Sequence, residues 1–142
     1  MSSRAFKCRV HVGGTASGEA MFSRDSFTFD RAVDPRTGMV LDTRTGLGGA
    51  SIRGKVLFYQ LGKGSTAASS WLIEAIRLGN GPAAIVTERL DLAAIVGSSV
   101  AGILHGKTVP VLSGIGARVF AKAKVGSIAS VEGDTVRVVM AD

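Results

Sequence analysis

The chain has 142 residues, a formal net charge of +6, 46% hydrophobic residues and only 6% aromatic ones. That is one domain with enough material for a real core, built from valine, isoleucine, leucine and alanine. No apolar run is long enough to span a bilayer, Met1-Ser2-Ser3-Arg4 opens without a secretory leader, and one cysteine cannot form an internal disulfide. These features exclude a spanning segment and point to the cytoplasm.

The positive charge does not point to nucleic acid. Lysines and arginines are spread from residue 4 to residue 137, and no aromatic residues interleave with a basic cluster. A diffuse excess of this kind serves solvation, or attracts an anionic substrate or an acidic partner chain.

Phe6, Cys8, Val10 and Val12 alternate with Lys7, Arg9 and His11, the period of one half-buried strand with Cys8 facing inward. Cys8 there reads as a small buried hydrophobe, and neither His11 nor His105 has a companion at triad or ligand spacing. Gly13 to Gly18 reads as a loop, and Glu19-Ala20-Met21-Phe22 as a short strand. Between Arg24 and Gly54 the pattern is irregular, with similar turn signals at Asp34-Pro35-Arg36-Thr37-Gly38 and Asp42-Thr43-Arg44-Thr45-Gly46. Met39-Val40-Leu41 between them has strand character. Asp42, Arg44 and Gly46-Leu47-Gly48-Gly49 either border a site or form a connecting loop.

The chain's most informative stretch comes next. Lys55-Val56-Leu57-Phe58-Tyr59 is an apolar strand, Gln60-Leu61-Gly62-Lys63-Gly64-Ser65-Thr66 a glycine turn, and Trp71, Leu72, Ala75, Ile76 and Leu78 recur at helical spacing. A helix start presents backbone N–H groups without intrahelical partners and the positive end of the macrodipole. Gly62 and Gly64 clear side chains from that surface, Lys63 adds a full charge, and Ser65 and Thr66 supply two hydroxyls. Two readings stand: an anion-holding turn, or a turn whose serine or threonine merely caps the helix. Lys63 precedes Gly64-Ser65, so the order is not that of a Walker phosphate loop.

Gly79-Asn80-Gly81-Pro82 stops the helix, and Ala83-Ala84-Ile85-Val86 reads as a buried strand. Asp91 through Ser99 reads as a second helix with Asp91 as its cap or first-turn acid. Val109-Pro110-Val111-Leu112 is a strand whose proline marks an edge or a start. Val125 to Val131 and Thr135 to Val139, joined by Glu132-Gly133-Asp134, form a terminal hairpin. The predicted fold is α/β, with β-rich ends around a central βαβα unit, over a single domain of residues 1–142. Ser65 stands at the carboxyl end of a parallel strand, where such sheets bind ligands.

As a catalyst the chain is incomplete. It has no Ser-His-Asp set, no paired carboxylates, no metal-ligand cluster and no dinucleotide fingerprint. Either it only binds, as an anion-binding or interaction module, or another polypeptide supplies the rest of the site.

Asp42, then Gly49-Ala50-Ser51-Ile52-Arg53-Gly54-Lys55-Val56-Leu57, then Gly62-Lys63-Gly64-Ser65 resembles the small subunit of aconitase X enzymes. Ala84-Ile85-Val86, Asp91 and Glu132-Gly133-Asp134-Thr135-Val136-Arg137-Val138 also match, so the likeness covers nearly the whole chain. The resemblance implies a swivelling β/β/α domain that closes over a large subunit, and the large subunit holds an iron–sulfur cluster through its own cysteines. It also implies that Ser65 is the catalytic proton acceptor in dehydration of a small anionic hydroxy acid. Gly62, Lys63, Gly64 and Thr66 are then the expected substrate-binding residues. The family's reactions include dehydration of cis-3-hydroxy-L-proline, the expectation preferred here, and of mevalonate 5-phosphate. Two departures stand out. Classical aconitases place an arginine after Gly-x-Gly-Ser-Ser, where this chain has Ala67, and the family's His-Pro pair is replaced by Thr45-Gly46.

Overall fold

The computed structural model describes residues 2–63, 65–121 and 124–140. Eight strands form one sheet in the order β1-β8-β7-β3-β4-β5-β6-β2. They are β1 (Ser2–Lys7), β2 (Arg9–Val12), β3 (Thr15–Phe22), β4 (Val56–Tyr59), β5 (Ala84–Thr87), β6 (Val111–Ser113), β7 (Ile128–Glu132) and β8 (Thr135–Met140). The helices are α1 (Thr66–Arg77), α2 (Leu92–His105) and the short α3 (Arg118–Ala121).

β3 is the joint of the architecture. Its first half pairs antiparallel with β7, from Thr15↔Glu132 to Glu19↔Ile128. Its second half pairs parallel with β4, from Ala20↔Val56 to Phe22↔Phe58. The β7–β8 layer can therefore turn back over the parallel β4–β5–β6 layer. Alternation along β4 then sorts its side chains into two cores. Val56 and Phe58 meet Ala129, Val131, Val136 and Val138 of the antiparallel layer. Leu57 and Tyr59 face the other way, toward Leu72 and Ile76 of α1 and Ala94 and Ala101 of α2. All four β4 residues are buried, as the apolar run requires of a central parallel strand. Each large side chain so buried contributes about 1.5–3 kcal/mol. Helices, parallel strands and antiparallel strands thus form an α/β/β stack, the expected β/β/α layering.

The helices pack closely because Gly97 of α2 has no side chain: a Cβ there would lie 2.9 Å from Leu72 Cδ2. Ser69 of α1 adds a hydrogen bond to the Ala93 carbonyl, 2.9 Å, and so ties the two helix starts together.

Several boundaries differ from the sequence reading. The single strand expected over 6–12 is two strands, broken at Cys8, whose N–H donates to the Asp134 carbonyl at 2.8 Å. The break sends β1 to β8 and β2 to β6, at opposite ends of the strand order. Val10, expected inside, is 39% exposed, while Cys8 packs partly buried against the second core. The loop expected over 13–18 becomes strand from Thr15, because β7 offers those residues a partner. Met39-Val40-Leu41 makes only isolated bridges, Val33↔Val40 and Met39↔Ser51. α2 runs on to His105, well past Ser99. The terminal hairpin begins at Ile128, leaving Val125 in solvent. Pro110 precedes β6 and marks the start of a strand that lies between β5 and β2.

Candidate active site at the β4–α1 turn

β4 delivers the chain to its carboxyl end at Tyr59, and the turn follows at once. Phe27 grips the turn from one side: its N–H donates to the Leu61 carbonyl at 2.9 Å, and its carbonyl accepts from the Lys63 N–H at 3.0 Å. Those two bonds flank Gly62, which is bridged to Phe27 in strand-like fashion. Phe27 is itself buried, its ring stacked on Tyr59 with centroids 5.3 Å apart.

From below, the turn rests on Asp91. A Cβ at Gly62 would fall 2.2 Å from Asp91 Oδ2, so only glycine fits there. Asp91 is the N-cap of α2, its Oδ1 accepting from the N–H groups of Ala93 at 3.1 Å and Ala94 at 3.4 Å. Its Oδ2 accepts the Tyr59 hydroxyl at 2.5 Å. Burial pushes the Tyr59 phenol well above its ordinary pKa, and the Asp91 charge and hydrogen bond push the same way. The phenol therefore remains a donor at any physiological pH.

Ser65 occupies the N-cap position of α1 with extended backbone, φ −131° and ψ 179°. Its carbonyl accepts from Ala68 N–H at 3.0 Å, but its hydroxyl makes no capping bond. The reading of Ser65 as a cap serine is thus not what the side chain does. The hydroxyl is exposed, no acidic residue lies in the first turn of α1, and Lys63 and Thr66 stand exposed beside it. Gly64 lies outside the described residues.

The loop read as either bordering a site or merely connecting shares one charge interaction with the turn. Lys63 lies close enough to act on the Asp42 carboxylate, although the Arg44 side-chain bonds, at 3.1 and 2.9 Å, are the main reason that Asp42 is held below its usual carboxylate range. Gly46, Leu47 and Gly48 line a different place, a cleft of about 820 Å³ along β3 with Arg24, Phe22 and Phe120. None of the described residues from Leu61 to Thr66 lines that cleft.

Among the described residues no three His, Cys, Asp or Glu side chains come together as a metal site. Cys8 is the one thiol, pushed up to about 11 by burial and then by Asp134, and a single thiol cannot supply the several thiolates that hold an iron–sulfur cluster. This chain's side chains do not fit as holders of an iron–sulfur cluster. His11 Nε2 meets Ser113 Oγ at 2.7 Å, on strands β2 and β6.

Sequence reasoning placed Gly62, Lys63 and Ser65 on the turn before the helix, which Thr66 opens rather than precedes, and Asp91 as a cap. It missed Phe27 and Tyr59. A signal existed for Tyr59: a lone tyrosine closing an aliphatic strand carries a hydroxyl that must find a buried partner.

Comparison with known proteins identifies the family. Residues 5–140 match the aconitase X swivel domain family. The chain is 36% identical over 128 residues to the phosphomevalonate dehydratase small subunit of Pyrococcus furiosus, covering 90% of this chain and 89% of that one. It is 37% identical over 103 residues to the cis-3-hydroxy-L-proline dehydratase of Pseudomonas aeruginosa, covering 72% of this chain but 18% of that longer protein. Its fold superposes on the crystal structure of Thermococcus kodakaraensis aconitase X (holo-form) with a TM-score of 0.83 and 30% identity, over 96% of this chain and 98% of that one. The chain belongs to the aconitase X swivel domain family.

Proposed function

We propose that this chain is the small subunit of an aconitase X-type hydro-lyase, in which the Ser65 hydroxyl accepts a proton in a cleft shared with a large subunit. One observation carries the reading. Two helices begin side by side at the carboxyl edge of the sheet; α2 is capped by Asp91, whereas α1 begins at a serine whose hydroxyl is free of capping duty.

In the dehydration, the bond from hydrogen to the carbon beside the hydroxyl-bearing carbon breaks, and its electron pair forms the double bond. The hydroxyl departs with the electron pair of its C–O bond, as hydroxide. The proton taken from carbon, passed on from Ser65, balances it as water and returns the serine to its starting state. Ser65 takes the proton only as an alkoxide or with its own proton displaced, so its oxygen needs positive surroundings. The start of α1 and the Lys63 ammonium supply them without reorganisation. The resemblance leaves an iron–sulfur cluster, the Lewis acid for the leaving hydroxyl, with the large subunit.

Apolar surface around the turn supports a covering partner. Leu41 and Leu61 on loops, Leu90 just before α2 and Leu92 at its first position are 53%, 45%, 51% and 65% exposed. Leu61 and Leu90 adjoin through the Arg89 N–H to Gln60 carbonyl bond of 3.0 Å. A large subunit seated there would exclude water from the Ser65 hydroxyl.

For the substrate, the relatives of matching length move the balance away from the hydroxyproline expectation. Phosphomevalonate dehydratase small subunits of Pyrococcus furiosus and Thermococcus onnurineus are covered over 89% and 95% of their lengths. We therefore place mevalonate 5-phosphate first. The 37% identity to the hydroxyproline enzyme keeps cis-3-hydroxy-L-proline as the second reading.

The test is an assay of the assembled pair on both compounds, with wild type and Ser65→Ala. Turnover of mevalonate 5-phosphate, lost by roughly 10²–10⁴-fold in the variant with the complex intact, is the expected result. Near-normal turnover by Ser65→Ala would remove Ser65 from the chemistry. Tight binding of either substrate by the isolated chain, measured calorimetrically, would favour a stand-alone anion-binding module.

A further inference from the structure

The reaction as assigned uses the upper surface of the turn and leaves a buried carboxylate beneath it unexplained. Asp91 is only 6% exposed, and both its oxygens are engaged. A helix cap needs one of them. Asparagine or serine would cap α2 as well as aspartate does, so capping alone does not account for the second oxygen. That second oxygen, Oδ2, receives the only hydroxyl of a fully buried tyrosine and lies against Gly62.

We propose that Asp91 is a positioning residue for the proton transfer: with Tyr59 and the first amides of α2 it forms a rigid floor that fixes Gly62, and through Gly62 the place of the Ser65 hydroxyl. The inference rests on Ser65 being the proton acceptor. Each part of the floor is constrained separately. Tyr59 is the last residue of β4, its ring wedged against Phe27, so its oxygen has little freedom. Asp91 Oδ1 is held by two backbone N–H groups, so rotation of the carboxylate would break the cap. Gly62 is pinned above by the pair of Phe27 bonds. The turn is therefore clamped between a strand-like bridge and a hydrogen-bonded carboxylate, three residues before the reacting hydroxyl. A misplacement of about 1 Å at a reacting group costs on the order of 10²-fold in rate. The carboxylate is also well chosen for a place beside an anion-holding turn. Its negative charge is spent on three donors and set against the positive end of α2.

The test uses the assembled two-subunit enzyme and whichever of mevalonate 5-phosphate or cis-3-hydroxy-L-proline the wild-type pair dehydrates. Tyr59→Phe removes one oxygen and keeps the ring; Asp91→Ser keeps a capping hydroxyl and removes Oδ2. Both are expected to lower kcat at least tenfold while KM and large-subunit affinity stay within about twofold. An Ile85→Val control, a β5 residue buried on the helix side of the sheet, is expected to keep kcat even where it lowers Tm as much. Gly62→Ala is expected to lose most turnover, and the double variant with Asp91→Ser to lose no more than Asp91→Ser alone, because serine vacates the contact. Unchanged kcat in Tyr59→Phe and Asp91→Ser beside an inactive Ser65→Ala would overturn the role of Asp91 and leave Ser65 standing. Losses that multiply in the double variant would do the same. An active Ser65→Ala is a separate result, which sinks the assignment of Ser65 and this inference with it. Should Asp91→Ser not assemble, Tyr59→Phe decides alone.

Discussion

Cys8 shows how far a single residue's surroundings set its chemistry. Lying between two strands and half covered by the second core, its thiol is pushed up to about 11, first by burial and then by the Asp134 carboxylate. A raised thiol pKa means that the unfolded chain gives up its proton before the folded one does. Stability is therefore unaffected by this group below about pH 9 and falls as pH rises from there toward 11. Replacing Cys8 by serine should flatten that alkaline loss of stability in a urea titration, and the wild-type thiol should react with iodoacetamide at pH 8 much more slowly than a free cysteine does. Rapid alkylation of the folded chain would contradict the assigned environment. The sequence reading of Cys8 as a small inward hydrophobe was close. The alternation around it, however, hid a corner: a period of two looks the same whether a strand runs straight through or bends and changes partner.

At the scale of elements, α1 and α2 show what local sequence can specify. Asp91 two residues before an alanine pair is a strong cap signal, and α2 begins where it says. Ser65 sends the same signal by residue type, yet its hydroxyl does not cap. Only the packed structure separates the two, because the choice depends on where the preceding glycine turn aims the side chain. One consequence is measurable on the isolated chain. Loss of a true cap costs typically about 1 kcal/mol, so Ser65→Ala should lower stability by no more than a few tenths, whereas a drop of the full amount would restore the cap reading. The glycine turn, the parallel strands and the hairpin were all legible from period and punctuation. The β3–β7 pairing was not, since residues 15–18 carry turn-forming glycine and serine and become strand only because Ile128–Glu132 lies alongside. The Tyr59–Asp91 contact spans 32 positions, and no local pattern announces it.

Seen whole, the molecule has strands β1 and β2 as the outermost members of its sheet, although one residue separates them in the chain. The sheet must curl until its two outer strands meet end to end at Cys8. Both unpaired backbone edges are thus written by the first dozen residues, a segment rich in cations: Arg4 and Lys7 on β1, Arg9 on β2, all exposed. Free strand edges invite addition of another chain, and charged side chains are the usual deterrent. Part of the net positive charge, read at first as solvation or attraction for anions, therefore acts as a fence. Swapping Arg4, Lys7 and Arg9 for threonine would take the fence down without touching either core. The variant should keep its circular dichroism and lose its solubility, growing by edge-to-edge stacking that light scattering would follow in time.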